Sequence, residues 1–112
     1  MDDMFWNREF ALVQTDGDED LVVELLELFV QSSVEVGYEQ LLLYMRGGDV
    51  EGVVSVVHGI KGAAASLGLE TISELCKEIE FAGRGGIIVE GAKFDRLGVL
   101  LEQVRGLVNR AT

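Results

Sequence analysis

The apolar positions of this chain recur with the period of a helix, and they do so in five separate runs. Trp6, Phe10 and Val13 share one side of a short run over about 5–13. Leu21, Leu25, Leu28, Phe29 and Ser32 keep helical spacing within a longer run over about 18–46. Val53, Val56, Val57, Ile60, Ala64 and Leu67 fall in one stripe at about 100° per residue, the mark of a helix with a single buried face. Ile72, Leu75, Cys76 and Ile79 do the same over about 70–83, and Phe94, Leu97, Leu101, Val104 and Val108 over about 90–110.

The breaks between runs are made of glycine and acid: Asp16-Gly17-Asp18, Gly47-Gly48-Asp49, Leu67-Gly68 and Gly83-Arg84-Gly85-Gly86. Asp49 has the side chain of an N-cap, and Gly68 stands where a helix ends in a left-handed residue. The acids at 18–20 suit the positive end of a helix dipole. Gly37 in the middle of the long run predicts a kink or break near Ser33–Gly37. Short connections make successive helices antiparallel neighbours. The expected fold is therefore all-α, an antiparallel up-and-down four-helix bundle with a short additional N-terminal helix, as a single domain over 1–112. Gly52, Gly59, Gly62, Gly91, Gly98 and Gly106 sit inside expected helices, where each costs about 1 kcal/mol against alanine. Close approach of another backbone accounts for Gly62 and leaves the others unexplained.

With 112 residues, 48% of them hydrophobic and none of them proline, the chain can bury a core and has no need of disorder. The net charge of −11 excludes a phosphate backbone as partner, so no nucleic acid is expected. One cysteine, Cys76, permits no internal disulfide and reads as a small apolar filler. There is no apolar run of membrane-spanning length, and Met1-Asp2-Asp3 lacks a signal peptide's basic region. These features predict a cytoplasmic protein with no membrane association.

The chemistry converges on His58, the only histidine. It lies well round the helix from Ile60, so it faces solvent among Glu51, Val54, Lys61, Gly62 and Ala65. A neutral imidazole offers a nitrogen lone pair as a nucleophile toward phosphorus. Lys61, one turn on, can neutralise part of the charge a phosphoryl group brings. Gly62 and Ala65 keep the surface low, so that with Val54 they form a surface on which a partner can close over the ring. His58 lies about ten residues before the turn at Gly68-Leu69, which sets Ile79 or Glu80 opposite it on the next helix. Ile79 belongs to the core. Glu80 falls on a flank with Ser73, Lys77 and Arg84 and can accept a hydrogen bond from the ring, leaving the other nitrogen free. Lys77 and Arg84 add positive field. Phe81 faces outward. One histidine, one core cysteine and scattered acids make no metal ligand set, and no second base or oxyanion loop accompanies His58 as hydrolysis would need.

The run His58-x-x-Lys61-Gly62-x-x-x-x-x-Gly68 resembles the histidine-containing phosphotransfer (HPt) domain of multistep phosphorelays. Gly48-Asp49, Leu67-Gly68 and the acidic opening Gly17-Asp18-Glu19-Asp20-Leu21 are similar to that family too. Val57 stands where the family often has alanine, and Gly59 at a variable position. The resemblance implies that His58 takes a phosphoryl group from the aspartate of one receiver domain, or from a sensor or hybrid histidine kinase, and passes it to a response regulator. It implies a carrier, not an enzyme, with no cofactor of its own: the Mg²⁺ belongs to the receiver. Glu80 matches the position where the family holds the ring with glutamine or glutamate. One accessible histidine is satisfied by a monomer. Two other readings stand beside this one: a helical interaction module without the chemistry, and the phosphoacceptor domain of a chemotaxis-type histidine kinase.

Overall fold

The computed structural model describes residues 5–111, with side chains through 110. Its elements are α1 (Arg8–Gln14), α2 (Glu19–Phe29), a π-helical segment (Val30–Gly37), α3 (Tyr38–Arg46), α4 (Val50–Ser66), α5 (Glu70–Arg84) and α6 (Gly91–Ala111), and no strand occurs among the described residues. The described chain measures 41 × 23 × 21 Å, the shape of a bundle of parallel and antiparallel rods.

Starts and stops are written locally. Asn7, Asp18 and Asp49 are N-caps whose side chains accept from the backbone N–H of Phe10, Leu21 and Gly52 at 3.0, 3.0 and 2.9 Å. One device closes α4 and α5, as it does α3 at Gly48. After α4, Gly68 adopts φ +77°, and Leu69 N–H reaches back to Ala64 C=O at 2.9 Å. After α5, Gly86 adopts φ +87°, and Ile87 N–H reaches Ala82 C=O at 2.9 Å. In both cases a left-handed residue lets two orphan carbonyls be satisfied within a two-residue turn, which sends the next helix back antiparallel.

The long run from 19 to 46 is one continuous rod. No break occurs at Ser33–Gly37; instead the turns widen into the π segment, where Tyr38 N–H bonds to Ser33 C=O. Widening absorbs the mismatch without exposing the backbone, and it buries Gly37 close to Ile60 of α4. The rod's buried face is Val22, Leu26, Phe29, Val30 and Val34. Leu21 and Leu28, expected on the core stripe, are exposed, as is Ser32. Apolar residues occupy both of two adjacent faces here, so periodicity alone admits either, and packing against α6 selects the one that carries Leu26. In α1 likewise, Phe10 and Val13 are exposed and Ala11 is buried. Trp6 precedes the helix and donates its indole N–H to Leu67 C=O at 3.0 Å, pinning the N-terminal segment to the end of α4.

The rod, α4, α5 and α6 pack side by side, with α4 and α5 in the most extensive contact and α6 closing the bundle against α5 and the rod. Phe94, Leu97, Leu101 and Val104 of α6 are fully buried with Leu41, Val53, Val57, Ile72 and Ile79. Val56 and Val108, placed on the stripes, are only half-buried at its margin. Two of the interior glycines are explained by neighbours: a Cβ on Gly52 would enter the ring of Tyr44, and one on Gly98 would meet the Tyr38 hydroxyl at 2.5 Å. Gly59, Gly62 and Gly91 face open space, and nothing in the structure explains Gly59 or Gly91.

Candidate functional site

The α4–α5 pair carries the site. Gly83, buried on α5, has no side chain to hold α4 away: a Cβ there would lie 2.5 Å from Val54 Cγ2. The two helices close at that point, and the closure changes the standing of Glu80. The helical wheel puts Glu80 on an exposed flank; in the structure it is buried, at 4% exposure, between the helices beside Cys76, Ile79 and Gly83. A wheel assigns each residue a direction from its own axis but cannot see how near the neighbouring helix comes.

A buried carboxylate is tolerable only with partners. Glu80 has three. His58 Nδ1 lies 2.9 Å from Oε2 across the helix pair. Arg84, one turn along α5, donates its Nε–H to the same oxygen at 3.0 Å. Lys61 Nζ lies 2.7 Å from Oε1, an ion pair set off the line of a well-directed hydrogen bond. The Lys61 ammonium is the main cause, with Arg84 and the His58 ring adding to it against the upward push of burial, that holds the Glu80 carboxyl down at about 2. Glu80 is therefore ionised at any working pH.

An ionised carboxylate has no proton to give. The 2.9 Å contact then requires that Nδ1 carries the hydrogen and donates it. In the neutral ring this leaves the lone pair on Nε2, on a side chain that is 62% exposed. His58 is thus held by a buried group and presented to solvent, the arrangement a nucleophile needs. Lys61, at 30% exposure, lies deeper than a free surface lysine, and its ammonium is already engaged. Lys61 and Arg84 outweigh Glu80 by one positive charge, so the neighbourhood of the ring is locally cationic on a chain of net charge −11.

Of the residues the sequence singled out, the structure brings His58, Lys61 and Glu80 into one cluster. Lys77 is exposed and joins none of them. Gly62 and Ala65 are exposed on the His58 side of α4, and a Cβ on Gly62 would touch nothing, so the low surface beside the ring is real. Val54 is half-buried and lines a shallow groove of about 540 Å³ with Val50, Glu51, Ser55, Gly83 and Arg84. That groove begins one turn below the histidine. Arg84, a source of field and a candidate local partner of Glu80 in the sequence, is its direct partner at i,i+4 spacing. Cys76 is fully buried, and burial first, with the Glu80 charge second, pushes its thiol up to about 12, so it takes no part in the chemistry. Phe81 stands out at 83% exposure.

Comparisons with known proteins point to one family. The family model for the Hpt domain matches residues 24–107. The phosphorelay intermediate protein YPD1 of Candida albicans (strain SC5314 / ATCC MYA-2876) is 38% identical over 79 residues, 70% of this chain. The chain spans 42% of the length of that curated relative. The crystal structure of the HPT domain from an Hpt sensor hybrid histidine kinase from Shewanella superposes with a TM-score of 0.83 at 25% identity, covering 97% of this chain and 94% of that one.

Proposed function

This chain belongs to the Hpt domain family, and on that premise we propose that it is a phosphorelay carrier that takes a phosphoryl group onto His58 Nε2 from a receiver-domain aspartate and hands it to a second receiver. The observation that carries the reading is the 2.9 Å contact from His58 Nδ1 to a buried, ionised Glu80, with the ring itself open to solvent.

In the transfer the Nε2 lone pair attacks phosphorus, the N–P bond forms and the aspartyl O–P bond breaks. The aspartate leaves as carboxylate. Lys61 and Arg84 offset part of the charge the phosphoryl group brings to the ring. The Mg²⁺ that activates the aspartyl phosphate belongs to the receiver, and this chain contributes no kinase or hydrolase step. Val54, Gly62 and Ala65 form the surface on which the receiver rests, close enough for its aspartate to reach the ring. Among the described residues no helix is long and apolar enough to cross a membrane. The reading adds a monomeric carrier working in the cytoplasm beside its receivers and their kinase.

The test is phosphoryl transfer. Receiver domains charged with a small phosphodonor and Mg²⁺ are mixed with the protein, and intact mass is read for wild type and His58→Gln. The expected result is an acid-labile, base-stable adduct on wild type and none on the variant, with both melting at nearly the same temperature. An adduct that survives His58→Gln overturns the assignment.

A further inference from the structure

The partner of the ring in this chain is a carboxylate rather than an amide, and the two behave differently once His58 is charged. An amide side chain can rotate to offer either its carbonyl or its NH₂, so it accommodates a ring nitrogen with or without a proton. Glu80 has only acceptors. It cannot turn away, because it is buried between α4 and α5 and tied by Lys61 at one oxygen and Arg84 at the other. Nor does water have room to come between it and the ring at 2.9 Å.

We propose that Glu80 keeps the Nδ1 proton on His58 after the phosphoryl group has arrived at Nε2, so that the charged carrier holds its phosphoryl group on a cationic ring. The proposal rests on the carrier reading above and deepens it. When Nε2 bonds to phosphorus, the Nδ1 hydrogen stays where it was and the ring becomes an imidazolium. Loss of that hydrogen would set a nitrogen lone pair against a buried carboxylate oxygen at contact distance, two acceptors with no donor between them. The other charges facing the ring act in both directions. Lys61 on α4 and Arg84 on α5 disfavour a cation there, although each is engaged by Glu80; Glu51, two turns earlier on the exposed side of α4, and the phosphoryl group itself favour it.

The consequence is for onward transfer. The N–P bond breaks, its electron pair returns to Nε2, and the phosphoryl group passes to the acceptor carboxylate. From the cationic ring the leaving group is neutral imidazole, with Nδ1–H in place and no proton taken up or released. From a ring that had lost the proton it would be imidazolate, a far poorer leaving group. Glu80 is thus a positioning residue that keeps the carrier transferable as the pH rises.

The protein is charged directly with phosphoramidate, which needs no receiver, and the ring protons and nitrogens of phospho-His58 are followed by NMR across pH in wild type and Glu80→Gln. The Nδ1 proton is expected to persist in wild type to a midpoint about one pH unit above that of Glu80→Gln, which corresponds to about tenfold in the protonated fraction at pH above both midpoints. The rate of transfer to a receiver, as the ratio of wild type to variant, should rise with pH by that same factor. Coincident midpoints with a pH-independent ratio would overturn the proposal. Wild type supplies a second comparison that needs no variant to fold: phospho-His58 in the native protein against the same protein in urea, where equal midpoints also overturn it. If no receiver delivers phosphate to His58, the carrier reading fails, while the titration of phosphoramidate-charged protein still decides the role of Glu80.

Discussion

At two of the places in this bundle where a missing side chain brings helices together, a polar group is hidden as well. On the α4–α5 side Gly83 admits Val54, and Glu80 is enclosed beside them. On the opposite side Gly98 of α6 admits Tyr38 of α3, whose hydroxyl donates to Phe94 C=O at 2.8 Å. Burial comes first, with the Asp95 charge adding to it, in raising the Tyr38 hydroxyl above its ordinary value, so it stays a neutral donor. Glu80 is driven the other way, to about 2, by Lys61, Arg84 and His58. The tyrosine meets a single fixed backbone acceptor and can only tie two helices together. The carboxylate meets two side-chain cations and an imidazole ring that reaches solvent, so the same packing device yields a lock in one place and a reactive site in the other.

Substitution at the two glycines is the most forceful way to break that comparison. Gly83→Ala drives a Cβ into stiff Val54 and should cost about 1–3 kcal/mol by overpacking. It should also slow phosphoryl uptake by one to two orders of magnitude, roughly the penalty for a misplacement of about 1 Å near the chemistry. Urea denaturation and single-turnover transfer from a charged receiver measure the two effects. Gly98→Ala displaces the Tyr38 hydroxyl and should lower stability by about 1–2 kcal/mol. Transfer should be unchanged, because nothing in the His58 cluster touches that side; a parallel loss of transfer would mean the two regions are coupled.

Tyr38→Phe sharpens the contrast without a steric change. It deletes one hydrogen bond to a carbonyl and should cost about 1 kcal/mol, read as a shift in denaturant midpoint at constant slope, again with transfer intact. The comparison is sharpened further in acid. Glu80 has a folded-state value near 2, below the ordinary carboxylate value of 4.5 that the unfolded chain keeps. The unfolded state therefore binds the proton first as pH falls, and the stability Glu80 contributes is complete above about 4.5 and lost on descent toward 2. A comparison of wild type with Glu80→Gln from pH 6 to pH 2 should show the difference between them change through that window and stay constant above it.

Much of this was readable in the chain itself. The caps Asp18 and Asp49 and the terminator Gly68 act on neighbours within a few residues, so their meaning is local, and the helix limits followed from them. The stripe of α4 has one apolar face and one polar face, so its period alone turned His58 outward and Ile60 inward. The run of α2 has apolar residues on two adjacent faces, and there the period could not choose between Leu25–Leu28 and Leu26–Phe29. Counting on from the turn at Gly68-Leu69 by the distance that separates it from His58 gives the height of Glu80 along α5 but not its depth.

Depth was decided by the tertiary structure. Whether a glutamate at that height is a solvated flank residue or a buried anchor depends on how close α4 and α5 come, and Gly83 and Val54 set that distance from two different helices. The same closeness ties Lys61 of α4 to Glu80 of α5, while Lys77, on α5 itself, stays out in solvent. Local sequence determined which residues could do the chemistry, because spacing along one helix is set by its backbone hydrogen bonds. Only the packing of two helices determined which nitrogen of His58 faces a buried carboxylate and which is left to react, because that is a matter of distances between residues 22 positions apart in the chain.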